Sequence, residues 1–180
     1  MITDYEKLIP EGEYEFIIKT AEFSRNSNTG TVSVYIPAVV RNDVDGQEYT
    51  NDYIYHRIYK KKEPNKRDLD CEGYNADQIN AICKAVGIPP GKKYQSLSDL
   101  FPELINGVFK AKVYHEQFNG KPNAKIGWPE KSAFPDCRHV WKEPQYKQSG
   151  INIYATEEPS TVDGTQVNME VIDTDDDLPF

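Results

Sequence analysis

The segment Asp52-Tyr53-Ile54-Tyr55-His56-Arg57-Ile58-Tyr59-Lys60 carries its chemistry on a strict alternation. In an extended chain successive side chains point to opposite faces. Tyr53, Tyr55, Arg57 and Tyr59 therefore share one face, and Ile54, His56 and Ile58 the other. Three tyrosines and an arginine offer flat surfaces for unpaired bases and a guanidinium for phosphate or for stacking. A base stacked on an aromatic ring is worth about 1–3 kcal/mol whatever the sequence, because every base has a π-face. If the strand were simply core, Arg57 would be buried among three rings without water, which is costly. A basic run continues the strand: Arg57, Lys60, Lys61, Lys62, Lys66 and Arg67 fall within eleven positions that hold one acid, Glu63. Such a run suits a phosphate backbone. Tyr35, Arg41, Lys110, Lys112 and Tyr114, on the polar faces of neighbouring strands, are expected to extend the same groove.

Other chemistries find weaker support. Cys71, Cys83 and Cys137 are odd in number and form no C-x-x-C, so neither a disulfide framework nor a structural zinc site is expected. A metal-dependent nuclease would gather acids around magnesium. The nearest cluster, Asp43, Asp45, Glu48 and Asp52, falls in a turn and on the strand beside it, where acids commonly serve as turn formers. No Gly-rich phosphate loop and no Ser/His/Asp or Cys/His signature is present. The expectation is a binding protein with no catalytic residue, no metal and no cofactor.

The charge is unevenly placed. Of 29 acids in a chain of net charge −8, eight lie between Ile151 and Phe180, which hold no Lys or Arg; the first 150 residues are left with 21 acids against 21 bases. The end therefore reads as an acidic tail. It finishes Asp173-Thr174-Asp175-Asp176-Asp177-Leu178-Pro179-Phe180. Aspartates before a short apolar tip and a carboxylate suit a partner with basic residues, an apolar pocket and an arginine. A hydrophobic share of 38% and a charged share of 28% suit a folded core under a wet surface. No run approaches eighteen apolar residues, so no membrane span is expected. The start lacks a basic-then-apolar leader, and a reducing cytoplasm fits the cysteines.

Elements must position these groups. Period-two patterns predict strands over Glu13 to Phe23, Thr31 to Arg41, Glu48 to about Tyr59, Val108 to Phe118 and Lys121 to Trp128. Pro37 predicts an edge or a bulge. Asn119-Gly120 predicts a tight hairpin between the last two strands. Asn75 or Asp77 caps a helix carrying Ile79, Ile82, Cys83 and Val86, ended by Gly87, and a short helical turn can start near Ser98. The fold expected is mainly β with one or two helices. Three strands, a helix and two strands is the order of an OB-fold, a five-stranded Greek-key barrel with its helix between strands 3 and 4. Residues 1–148 form the predicted domain, with about 129–148 packing back on the barrel through Phe134 and Trp141. Residues 149–180 form a flexible acidic tail, able to fold over the groove or to reach a partner.

The terminal Asp-Asp-Asp-Leu-Pro-Phe resembles the acidic tip of bacterial single-stranded-DNA-binding proteins, which recruits replication, recombination and repair proteins. The body resembles a family of phage-encoded proteins regarded as phage single-stranded-DNA-binding proteins. That likeness runs through Gly12-Glu13-Tyr14-Glu15-Phe16, Ala21-Glu22, Gly46, Ala85-Val86-Gly87, Leu97-Ser98-Asp99-Leu100, Gly107-x-x-x-Ala111-x-Val113 and the Asn123-to-Trp128 strand. The resemblance implies a protein that coats single-stranded DNA in the cytoplasm of an infected bacterium. Through Asp173, Asp175, Asp176, Asp177, Leu178, Pro179 and Phe180 it would recruit a helicase, primase, recombinase or polymerase. A homo-oligomer is compatible with it. Alternatives are a recombination mediator or annealing protein and, from another class, a nuclease on an OB-like body.

Overall fold

The computed structural model describes residues 8–142 and 169–170. The chain runs β1 (Gly12–Ile18), β2 (Glu22–Arg25), β3 (Val32–Val40), β4 (Tyr53–Ile58), α1 (Lys66–Asp70), α2 (Ala76–Ala85), β5 (Lys93–Tyr94), α3 (Leu97–Leu104), β6 (Val108–Phe118), β7 (Lys121–Ile126), β8 (Glu130–Lys131) and β9 (Met169–Glu170). It is mainly β, with three helices among the described residues. The first of them, α1, lies inside the basic stretch, where no helix was expected.

One seven-stranded sheet holds the body, ordered β2-β3-β1-β6-β7, with β4 on the other side of β3 and β8 against β6. Its strand pairs are antiparallel. The predicted first strand is broken at Lys19–Ala21 into β1 and β2, both of which pair one edge of β3. Pro37 faces that break: its carbonyl accepts from the Lys19 N–H at 3.0 Å. The missing proline N–H thus falls where the ladder is already interrupted, the bulge-like setting that proline requires. At the far side β4 comes alongside β7, with Cα atoms within 8 Å, without strand pairing.

The alternation that defines the strands also defines the core. Phe16 and Ile18 of β1, Val34, Ile36, Ala38 and Val40 of β3, Ile54 and Ile58 of β4, and Phe109, Ala111 and Val113 of β6 all face inward. Phe16 and Phe109 are direct cross-strand partners, their rings stacked at 5.4 Å. Helix α2 covers this core with Ile79 and Ile82, and α3 with Leu97, Leu100, Phe101 and Leu104. Asn75 caps α2 by accepting from the Gln78 N–H. At its end Ile88 N–H reaches Cys83 O, and Gly87 N–H reaches Lys84 O, a Schellman stop with Gly87 in the left-handed region. Gly107 enters β6 so tightly that a Cβ would stand 2.7 Å from Val86. Asn119 and Gly120 both have positive φ, as a two-residue hairpin turn with the twist of its strands demands. No helix among the described residues is long and apolar enough to cross a membrane.

Residues after Ile126 cross the outside of the sheet as a strap. Glu130 and Lys131 pair the edge of β6, and the chain then passes over β1 and the end of β3. Packing through Phe134 and Trp141 was expected; Phe134 is 50% exposed, while Trp141 is half-buried and meets the His139 ring edge-on at 4.6 Å. The strap is held largely by polar groups. Glu15 accepts from Ser132 Oγ at 2.6 Å and from Ala133 N–H at 2.9 Å. Asn42 exchanges side-chain and backbone bonds with Val140 and donates its N–H to His139 Nδ1.

Candidate nucleic-acid interface

The β3–β4 register decides which groups meet. Tyr35 lies opposite Arg57, and Pro37 opposite Tyr55. Ile54 and Ile58 are buried, whereas Tyr55 is 52% exposed, so the tyrosine face of β4 is the outer one. On it the rings form a ladder. Tyr53 and Tyr55 are stacked at 5.9 Å and 21°, and Tyr55 and Tyr35 at 6.1 Å and 17°. The Arg57 guanidinium lies 4.4 Å from the Tyr35 ring centroid and donates to Ser33 Oγ at 3.2 Å. At the other end Lys19 donates to the Tyr53 hydroxyl at 2.7 Å. The inward neighbour, His56, has its pKa pushed down to about 4 by desolvation and then by Lys125, so it is neutral at physiological pH.

Beyond Tyr59, also exposed, the basic stretch is an ordered loop. Its centre is Asp68, 1% exposed. Asn65 caps α1 by accepting from Asp68 N–H, and the Asp68 carboxylate accepts from Asn65 N–H, a reciprocal capping box. The same carboxylate accepts from Ala76 N–H at 3.0 Å and pairs with Lys61 Nζ at 3.0 Å. Burial works against its charge, but these N–H donors and the ammonium outweigh it and hold the pKa below the ordinary value. Lys61 N–H to Gly73 O and Asn75 N–H to Tyr59 O tie the loop to the end of β4. The cations are thereby divided. Lys61 pairs with Asp68, Arg67 with Asp77 at 3.0 Å, and the Lys60 ammonium sits 5.2 Å from the Tyr74 ring centroid. Lys62 and Lys66 point to solvent.

Arg41 departs from expectation. Its side chain is 0% exposed, with Asp43 at 2.6 Å and Glu15 at 3.9 Å. It also donates to Ser132 Oγ and to the Phe134 and Asp136 carbonyls. It anchors the strap and presents nothing to a ligand. Its hydrogen bond, above all, holds Asp43 down to about 2. Lys110, Lys112 and Tyr114 do lie on the outer side of β6, opposite the inward Phe109, Ala111 and Val113. However, β1 separates them from β3, the strap crosses beside them, and Lys110 lies 3.6 Å from Glu130. They form a second basic-aromatic strip, not a continuation of the ladder.

Lys19 meets the ladder without having been anticipated: it follows β1 just where the sheet breaks, and it left no signal in the sequence because it reaches Tyr53 across 34 residues. Lys125 of β7 acts instead on the inward His56, and Phe118 beside the hairpin turn is 66% exposed. The Asn65-x-x-Asp68 spacing of a capping box was legible and marks α1. Asp173, Asp175, Asp176, Asp177, Leu178, Pro179 and Phe180 lie outside the described residues.

Residues 2–161 match the family described as Protein of unknown function (DUF669). The chain belongs to that family. No curated protein matches it. The DUF669 match spans the whole sheet, the strap and the ladder, so the candidate interface is built on the family's own body.

Proposed function

We propose that this DUF669 protein binds single-stranded DNA on the outer face of β3 and β4, without strong sequence preference and without catalysis. The observation that carries this reading is the outward-facing ladder Tyr53–Tyr55–Tyr35–Arg57, half-buried along its length and exposed at Tyr55. It offers π-surfaces at a spacing set by the strands, with Lys19 at one end and the Lys60–Arg67 loop at the other. Stacking serves any base, and the flanking cations serve the backbone. The strand order supports an OB-fold. β1 and β2 act as one long first strand that pairs β3 and β6, β3 pairs β4, β6 pairs β7, and β4 approaches β7 as a closing barrel requires. In such barrels the outer face of the second and third strands is the oligonucleotide surface. The phage-like resemblance and the acidic tip extend the reading. The protein coats single strands during replication or recombination in an infected bacterial cytoplasm, and residues 173–180 recruit a replication or recombination partner.

Titration with single- and double-stranded DNA of equal length over a salt series tests this. Single strands should bind far more tightly. With four or five phosphate contacts, log K should fall against log salt with a slope of roughly −3 to −4, about −0.7 per contact. Equal affinity for duplex would overturn the proposal, because a duplex hides the base faces that the ladder needs.

A further inference from the structure

The two-residue strand β5 lies on the connection between α2 and α3, and the strand it pairs with is β9, from the acidic end of the chain. Lys93 lies opposite Glu170 and Tyr94 opposite Met169, antiparallel. The strip is anchored from beneath. The Tyr94 ring is buried in the core, and its hydroxyl donates to Glu103 of α3. Lys92 pairs with the same carboxylate, with its ammonium 5.6 Å from the Tyr94 ring centroid. A fixed backbone with an open row of N–H and C=O groups is a template for an added strand. Lys93 gives it a positive charge, Lys92 being paired with Glu103, and the segment that adds to it is acidic: Glu170 is followed by Asp173, Asp175, Asp176 and Asp177.

We propose that β5 is a docking strip for this chain's own C-terminal segment, which joins it by strand addition at Met169–Glu170. The strip sits with the helices on the core side of β3 and β4, whereas the tyrosine ladder faces outward from the same strands. Docking therefore holds Met169–Glu170 on the helix side of the sheet, away from the ladder. The chain length allows it. Twenty-six residues, 143–168, separate the strap from β9, and a chain of that length can span up to about 85 Å.

Two measurements on the full-length protein test the proposal. In a Cys137→Ser background, Lys93→Cys with Glu170→Cys places thiols on directly opposed residues, whose Cα atoms in a ladder lie about 4.5–5.5 Å apart, within disulfide reach. Mild oxidation should close an intramolecular disulfide at least about tenfold faster than in a control carrying Lys93→Cys with Glu158→Cys. Equal rates, or a cross-link found only in dimers, would overturn the assignment. Independently, Met169→Pro should speed amide hydrogen exchange at Lys93 or Tyr94 by about tenfold or more, while the β4 amides exchange as before. Unchanged protection at both residues would also overturn it.

Discussion

Arg57 and Tyr35 face each other across the β3–β4 pair, and the guanidinium plane covers the tyrosine ring at 4.4 Å. Ser33 holds the guanidinium from one side. The ladder thus ends in a planar cation on an aromatic base, and under the proposed function this end would offer a nucleobase guanidinium plane and charge together. A lysine carries the same charge but has no plane to stack.

Arg57→Lys is therefore expected to weaken single-strand binding by about 0.5–1 kcal/mol, the size of an exposed cation–π contact. The slope of log K against log salt should stay as in the parent protein, because the charge remains. Titrations at three salt concentrations separate these effects. A variant that binds as tightly as the parent would show that the plane of Arg57 is not used.

Tyr55→Ala removes the central ring. The ring is half exposed, so unfolding should change little, whereas single-strand affinity should fall by about 1–3 kcal/mol with the salt slope intact. Thermal melts run beside the titration distinguish the outcomes. A large loss of melting temperature with unchanged residual binding would mean that Tyr55 belongs to the core.

The division of cations in the basic loop gives a contrast within one segment. Lys62 and Lys66 point to solvent, while Lys61 and Arg67 sit in ion pairs with Asp68 and Asp77. Lys62→Gln with Lys66→Gln should flatten the salt slope by about 1.4, two contacts at about 0.7 each, and leave stability unchanged. Lys61→Gln should flatten it less and lower the melting temperature.

Asp68→Ala should destabilise the fold by about 1–3 kcal/mol, since the buried Ala76 N–H and the Asn65 N–H at the start of α1 lose their acceptor. The sign of the pH effect follows from the lowered pKa. Ionised Asp68 contributes stability above the ordinary carboxylate value, and this is lost as pH falls through the lower folded value. Denaturation curves of parent and variant should therefore converge in acid and separate toward neutral pH.

Asp43 behaves in the same sense at the strap. Held at about 2 against an ordinary 3.8, it contributes about 2 kcal/mol at neutral pH, lost between those two values as pH falls. Its carboxylate holds both Arg41 and the Arg138 N–H. Asp43→Asn at pH 7 should loosen residues 132–140, seen as faster backbone hydrogen exchange there and faster proteolysis of the strap. Exchange in α2 should stay unchanged.

Much of this was legible in local pattern. The alternation in β4 assigned Tyr53, Tyr55 and Arg57 to the outer face and Ile54 and Ile58 to the core. The fourth strand was read at its observed limits, Val108–Phe118, and Asn119-Gly120 marked its turn. Neighbouring residues carry such signals, because side-chain direction repeats every two residues along a strand and turn residues act on their own backbone. The third strand was read too early, from Glu48. Tyr49 and Asn51 adopt positive φ, a turn conformation that alternation does not encode.

The fate of each charge was decided by tertiary structure. Arg41 and Arg57 both lie on outward faces of adjacent strands, and nothing in the chain near them separates their roles. Arg41 is sealed by Ser132, Phe134 and Asp136, more than ninety residues away in sequence, while Arg57 is left on the surface with Tyr35. Lys19 joins Tyr53 across 34 residues because β1 stops where β3 continues. By itself the sequence determined strand periods, the inward set and the presence of an exposed aromatic face. Which cations stand beside that face, and which are neutralised, depended on strand order and on the path of the strap. Those are long-range pairings, and a residue's own neighbours carry no trace of them.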